Sequence, residues 1–232
     1  GDYRLNPEPP PLIKTLSALP VYLLYRIPFQ PDERLWRAAE EWRIGRDFLY
    51  SSPVPWDRIL SAGRLPNLIL GALLAALVGW WSYRLWGSTA GAVAALALAA
   101  FEPNLIAHSC LVTTDLGAAL FTFLAVYLLW EHVWAPRWSL LAGVGVATGL
   151  ALASKYSCVV VPVILAAVAA GHLLSGGAIP SPVRKPARGT GARLAEAIPA
   201  AGAILAVALV TLLGAYFFTG LAGWWKGFQI VL

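Results

Sequence analysis

Apolar residues run almost unbroken from Leu65 to Leu174 and again from Ala197 to Phe218, with polar residues confined to short breaks. Runs of this length predict helices. A hydrocarbon core ~30 Å thick needs about 20 mostly apolar residues to cross it. Six segments reach or approach that length, at 65–83, 88–101, 115–131, 138–154, 157–174 and 197–218. The expected fold is all-α: a polytopic transmembrane helix bundle over 65–218. The second segment is short and the fourth is rich in glycine. Gly87 and Gly91, and again Gly145 and Gly149, have the four-residue spacing that lets helix backbones approach closely. The string from Gly143 through Gly145 to Gly149 lies inside an apolar helix with no strand before it, which rejects a nucleotide-binding loop.

Residues 1–64 follow a different pattern. Pro7, Pro9, Pro10 and Pro11 favour extended backbone. The stretch LIKTLSALPVYLLY then predicts an amphipathic or half-buried helix. A second helix is expected over 32–50, where Trp36, Trp42, Ile44, Phe48 and Leu49 alternate with Glu and Arg. Such helices either lie in the membrane interface or form a small soluble cap. The expected organisation is an extracytoplasmic region 1–64, the bundle 65–218 with a basic cytoplasmic loop 175–196, and an outer-face tail 219–232.

Composition agrees with a membrane chain. Among 232 residues, 59% are hydrophobic and only 12% charged, about half the usual soluble share. Mean hydropathy is +0.67. These values exclude a disordered chain, a disulfide-stapled secreted domain and an ordinary soluble enzyme. Residues 1–64 carry nine Lys/Arg and eight Asp/Glu, whereas 65–174 carry only Arg84, Glu102, Asp115, Glu131, Arg137 and Lys155. Arg184, Lys185, Arg188 and Arg193 then cluster without an acid. The net charge of +5 is thus largely one short loop, not a surface able to hold nucleic acid. Cys110 and Cys158 are too few to mark a redox compartment.

Short loops rich in Lys/Arg stay in the cytoplasm. Alternating the six segments places Arg84, Arg137 and the 175–196 loop on that side. The N-terminal region, the 102–114 connection and the 154–157 hairpin then share the outer side. These hold the polar groups near the membrane: Glu8, then Glu102, His108, Thr113, Thr114 and Asp115, then Lys155 and Tyr156. Asp115 heads an apolar helix, where a carboxylate serves as an N-cap or as a functional acid. Lys155 reads as a snorkelling lysine or a phosphate ligand. Arg64, at the start of the first segment, reads as an interface anchor or a second phosphate contact. His108 is a loop hydrogen-bonder or a participant in chemistry. No metal-ligand spacing, nucleophile elbow or P-loop is present.

Three stretches resemble one family. FEPNLIAHSCLVTTD (101–115), GLALASKYS (149–157) and NPEPPPLIKTLSALP (6–20), together with Arg64, are similar to matching parts of the C-type membrane glycosyltransferases. The nearest branch is that of protein O-mannosyltransferases and bacterial aminoarabinose transferases, glycosyltransferase family 39. The resemblance implies a polyprenyl-phosphate-linked sugar as donor and transfer at the outer face of the bacterial inner membrane to a protein, lipid or glycan acceptor. It implies Asp115 and Glu8 as catalytic acids, with Lys155, His108, Arg64, Glu102 and Tyr156 as substrate contacts. It calls for no cofactor or metal. Membrane lipids, the lipid-linked sugar and other membrane subunits are the expected partners. The family carries a further helix and an acidic pair upstream of its Pro-Pro-Leu loop, so this chain is expected to be a fragment lacking the main catalytic acid. The competing expectation is a non-catalytic membrane subunit with the same fold. A transporter is opposed by polar groups that gather at one face rather than at midplane.

Overall fold

The computed structural model describes residues 5–177, 179, 190–219 and 221–231. Every regular element among them is helical. The chain divides into two units, Gly1–Leu116 with Thr219–Leu232, and Gly117–Phe218.

The first unit opens with α1 (Pro11–Tyr25), which has proline in its first turn and ends at Arg26 in the left-handed region. The expected helix over 32–50 is two helices, α2 (Glu33–Arg37) and α3 (Glu41–Tyr50). Ala39 between them has φ +55°, which breaks the repeat. Asp32 caps α2 by accepting from the backbone N–H groups of Arg34 and Leu35. Next comes α4 (Trp56–Trp86), 31 residues that run through Pro66 and end at Gly87 with φ +64°. It begins nine residues before the apolar run, so Arg64 lies within a helix and not at its start.

α5 (Thr89–Ala100) has 12 residues and α6 (Pro103–Ser109) follows at an angle of 59°. The connection expected over 102–114 therefore contains a two-turn helix. At ~1.5 Å per residue α5 reaches only about 18 Å, too little to cross alone. α4 packs against α1, α5 and α6. The segment 219–232 contributes α11 (Ala222–Val231).

The second unit comprises α7 (Asp115–Trp134) from Gly117 onward, α8 (Trp138–Ser154), a 3-10 turn Tyr156–Val160, α9 (Val161–Leu174) and α10 (Thr190–Ala215). Its core joins Ala125 and Leu129 of α7, Val144, Ala147 and Ala151 of α8, Cys158, and Val161 and Leu165 of α9. α8 is the innermost helix. A Cβ on Gly149 would stand 2.6 Å from the Ala208 carbonyl oxygen, and one on Gly145 would stand 2.8 Å from that of Ile204. The glycine pair thus seats α8 directly on the backbone of α10. Gly87 and Gly91 play no such part: the first ends α4, and the second would meet only Ser88. Buried Glu131 accepts a hydrogen bond from the Tyr127 hydroxyl at 2.7 Å.

Among the described residues, four helices are long and apolar enough to cross a membrane: Trp56–Trp86, Asp115–Trp134, Tyr156–Leu174 and Ala197–Ala215. The bent α5–α6 pair makes a fifth only if it counts as one span, and α8 falls short with 17 residues. Large apolar side chains such as Leu98, Phe101, Leu174, Ile198 and Val210 are exposed. This chain is an all-α integral membrane helix bundle. Of the basic cluster, Arg184, Lys185 and Arg188 lie outside the described residues, and so does the side chain of Arg193.

Candidate functional site

Four polar residues of the first unit, Glu102, His108, Thr113 and Asp115, lie at the α6–α7 junction. Glu102 and Pro103 start α6 by a local rule: a carboxylate caps the open N–H groups, and proline occupies the first helical position, where its missing N–H costs nothing. Glu102 Oε2 accepts from the Leu105 N–H at 2.6 Å, and Oε1 accepts from the Asn104 amide at 3.0 Å. Glu102 is therefore a helix cap. α6 delivers His108 near its C-terminus. Seven residues after His108, α7 begins at Asp115, where the helix dipole favours a carboxylate.

The His108 ring and the Asp115 carboxylate face one another across this turn. Nδ1 stands 3.5 Å from Asp115 Oδ2 and 3.2 Å from Thr113 Oγ1, and the His108 and Asp115 side chains are each 40% exposed. With the proton on Nδ1, the ring donates toward Asp115 and Thr113 and keeps the Nε2 lone pair as an acceptor. The pair is partly open to solvent. Among the described residues no group of three His, Cys, Asp or Glu side chains is placed to hold a metal ion.

Sequence reading passes over the group that organises this turn. Asn67, in the first half of α4, is fully buried, and its Nδ2 donates to the carbonyl oxygens of Leu111 and of Thr113, the latter at 2.9 Å. One polar amide in the apolar run LPNLILGALLAALVGWW was a readable signal, because a polar group at membrane depth needs a partner. Arg64 lies three residues earlier on α4, exposed and without an ion pair to a described residue.

Other expected residues lie elsewhere. Glu8 lines a cavity of about 260 Å³ with Leu5, Pro7, Ala39, Glu40, Glu41, Trp42 and Ile230, none of them from the α6–α7 junction. In the second unit, Lys155 is an extended residue that closes α8, its N–H donating to the Ala151 carbonyl at 3.1 Å. Tyr156 is buried, and its hydroxyl shares a hydrogen bond with Tyr216, so it packs inside that unit.

The family model described as dolichyl-phosphate-mannose-protein mannosyltransferase matches residues 59–184, just over half of the chain. No curated protein and no solved structure matches. The matched stretch holds Arg64, Asn67, Glu102, His108, Asp115 and Lys155, and leaves Glu8 outside. A match over more than half of an all-α chain with several membrane-length helices shows that the chain belongs to the dolichyl-phosphate-mannose-protein mannosyltransferase family.

Proposed function

We propose that this membrane glycosyltransferase-like chain takes its sugar from a polyprenyl phosphate and transfers it at the outer face of a bacterial inner membrane. The observation that carries the reading is the Asp115–His108 contact inside the family-matched stretch. An acceptor hydroxyl attacks the anomeric carbon and forms the new glycosidic bond. The bond from that carbon to the phosphate oxygen breaks, and the polyprenyl phosphate leaves with the electron pair. The hydroxyl proton passes to the Asp115–His108 pair, which acts as general base. A cation near the leaving phosphate stabilises its charge. Arg64, one helical turn from Asn67, supplies one. For Lys155 the support is the resemblance alone.

The test uses the full chain in liposomes with radiolabelled polyprenyl-phosphate mannose and a hydroxyl acceptor. Asp115→Asn is expected to lower turnover by about a hundredfold or more, the usual worth of a general base. Unchanged turnover would overturn the assignment. Wild-type protein that transfers no sugar but co-purifies with other membrane proteins would favour the non-catalytic subunit.

A further inference from the structure

The separation of His108 and Asp115 is set by the five residues Cys110–Thr114, which form no regular element beyond a turn. A segment of this kind holds a 3.5 Å contact only if its backbone is tied to something rigid. The rigid partner is α4, which touches the segment at one point and, one turn further on, the end of α6 just before it. At the first, the single amide nitrogen of Asn67 donates to alternate carbonyls, those of Leu111 and Thr113. At the second, Gly71 leaves room for Ser109. A Cβ there would come 2.2 Å from Ser109 Oγ and 3.3 Å from its Cβ. Ser109 Oγ in turn donates to the Leu105 carbonyl at 2.6 Å, locking the last turn of α6.

The orientation of the Asn67 amide is unambiguous, because reversing it would set its oxygen against two carbonyl oxygens. In this orientation Oδ1 is buried and has no hydrogen-bond partner among the described residues. A membrane helix seeking adhesion alone would be served by an apolar residue here. One end of the amide is unsatisfied, and its other end grips the segment that carries the reacting pair.

We propose that Asn67, with Gly71 beside it, is a positioning residue that sets the Asp115–His108 separation without touching substrate. The proposal rests on reading that pair as the reacting group. It gives α4 a role in turnover that neither the family match nor the polar motifs assign.

Asn67→Ala and Asn67→Leu are compared with wild type in the full chain in liposomes, with radiolabelled polyprenyl-phosphate mannose. Leu conserves volume and suits an apolar helix, so it decides the question if Ala impairs folding. The expected result is a kcat reduced about ten- to a hundredfold, the scale of a small misplacement of reacting groups, with the donor KM held within about twofold. Turnover is normalised to folded protein, because an inactive fraction lowers the apparent kcat without moving KM. Backbone hydrogen exchange across 108–116 is expected to rise in both variants. In an Asp115→Asn background, Asn67→Leu is expected to cause no further loss, because the two act as one unit. Unchanged exchange across 108–116, an unchanged kcat, or losses that multiply would each overturn the proposal. Turnover that survives Asp115→Asn alone would instead remove the reading of the pair, while the exchange measurement still decides whether Asn67 ties the segment.

Discussion

At the scale of single residues, partners decide what a charge does. Glu102 and Asp115 look alike in sequence, each an acid at the head of a helix. Glu102 spends both oxygens on its own first turn, whereas Asp115 turns one toward an imidazole. Lys14 on α1 shows the same dependence. Its ammonium donates to the Asn6 carbonyl at 2.6 Å, and Asn6 donates in turn to Glu41. Burial lowers the Lys14 pKa from 10.5 to about 8, partly offset by the nearby Glu41 charge. Between those values the unfolded chain holds more protons than the folded one, so stability rises as pH rises through about 8 toward 10.5. Thermal unfolding in detergent is expected to shift up by a few degrees between pH 7 and 9.5, and Lys14→Met is expected to flatten the shift. The acids and the histidine were legible in sequence because charge in an apolar run is conspicuous. Asn67 and Gly71 were not singled out, because their meaning lies in contacts 38 to 46 residues away in the chain.

At the scale of elements, hydrophobic pattern located the helices and local chemistry moved their ends. The apolar run marks what lies in lipid, not where the helix begins, so α4 starts at Trp56, ahead of it. The Glu102–Pro103 pair marked a helix start that hydropathy averaged into a loop. The two glycine pairs show why spacing alone is insufficient. Gly149 meets a backbone carbonyl that has no room to yield, whereas Gly91 faces only the side chain of Ser88. Gly149→Ala is therefore expected to destabilise the second unit by ~1–3 kcal/mol. Gly91→Ala is expected to be neutral or to gain ~0.5–1 kcal/mol from helix propensity. Chemical unfolding of each variant in micelles checks both signs.

At the scale of the whole molecule, six apolar segments translate into four clear spans, one bent pair and one 17-residue helix. Orientation depends on how the last two behave. The proposed arrangement puts Cys110 outside, with the α4–α5 turn and the basic loop inside. Cys110 is exposed and Cys158 is buried, so the native thiols serve as probes. A membrane-impermeant maleimide applied to intact cells is expected to label Cys110 and to spare cysteines introduced by Ser88→Cys and Arg188→Cys. Labelling of Ser88→Cys from outside would mean that α5 and α6 turn back without crossing. The length of α4 carries a further consequence. At ~1.5 Å per residue its 31 residues reach about 46 Å, against a hydrocarbon core of ~30 Å. The surplus lies at the Trp56–Arg64 end, next to Asn67. Whether that end tilts or stands clear of the lipid depends on membrane thickness. On the proposed function, the bilayer then acts as a gauge block for the depth of the Asp115–His108 pair, and turnover is expected to change between liposomes of different acyl-chain length.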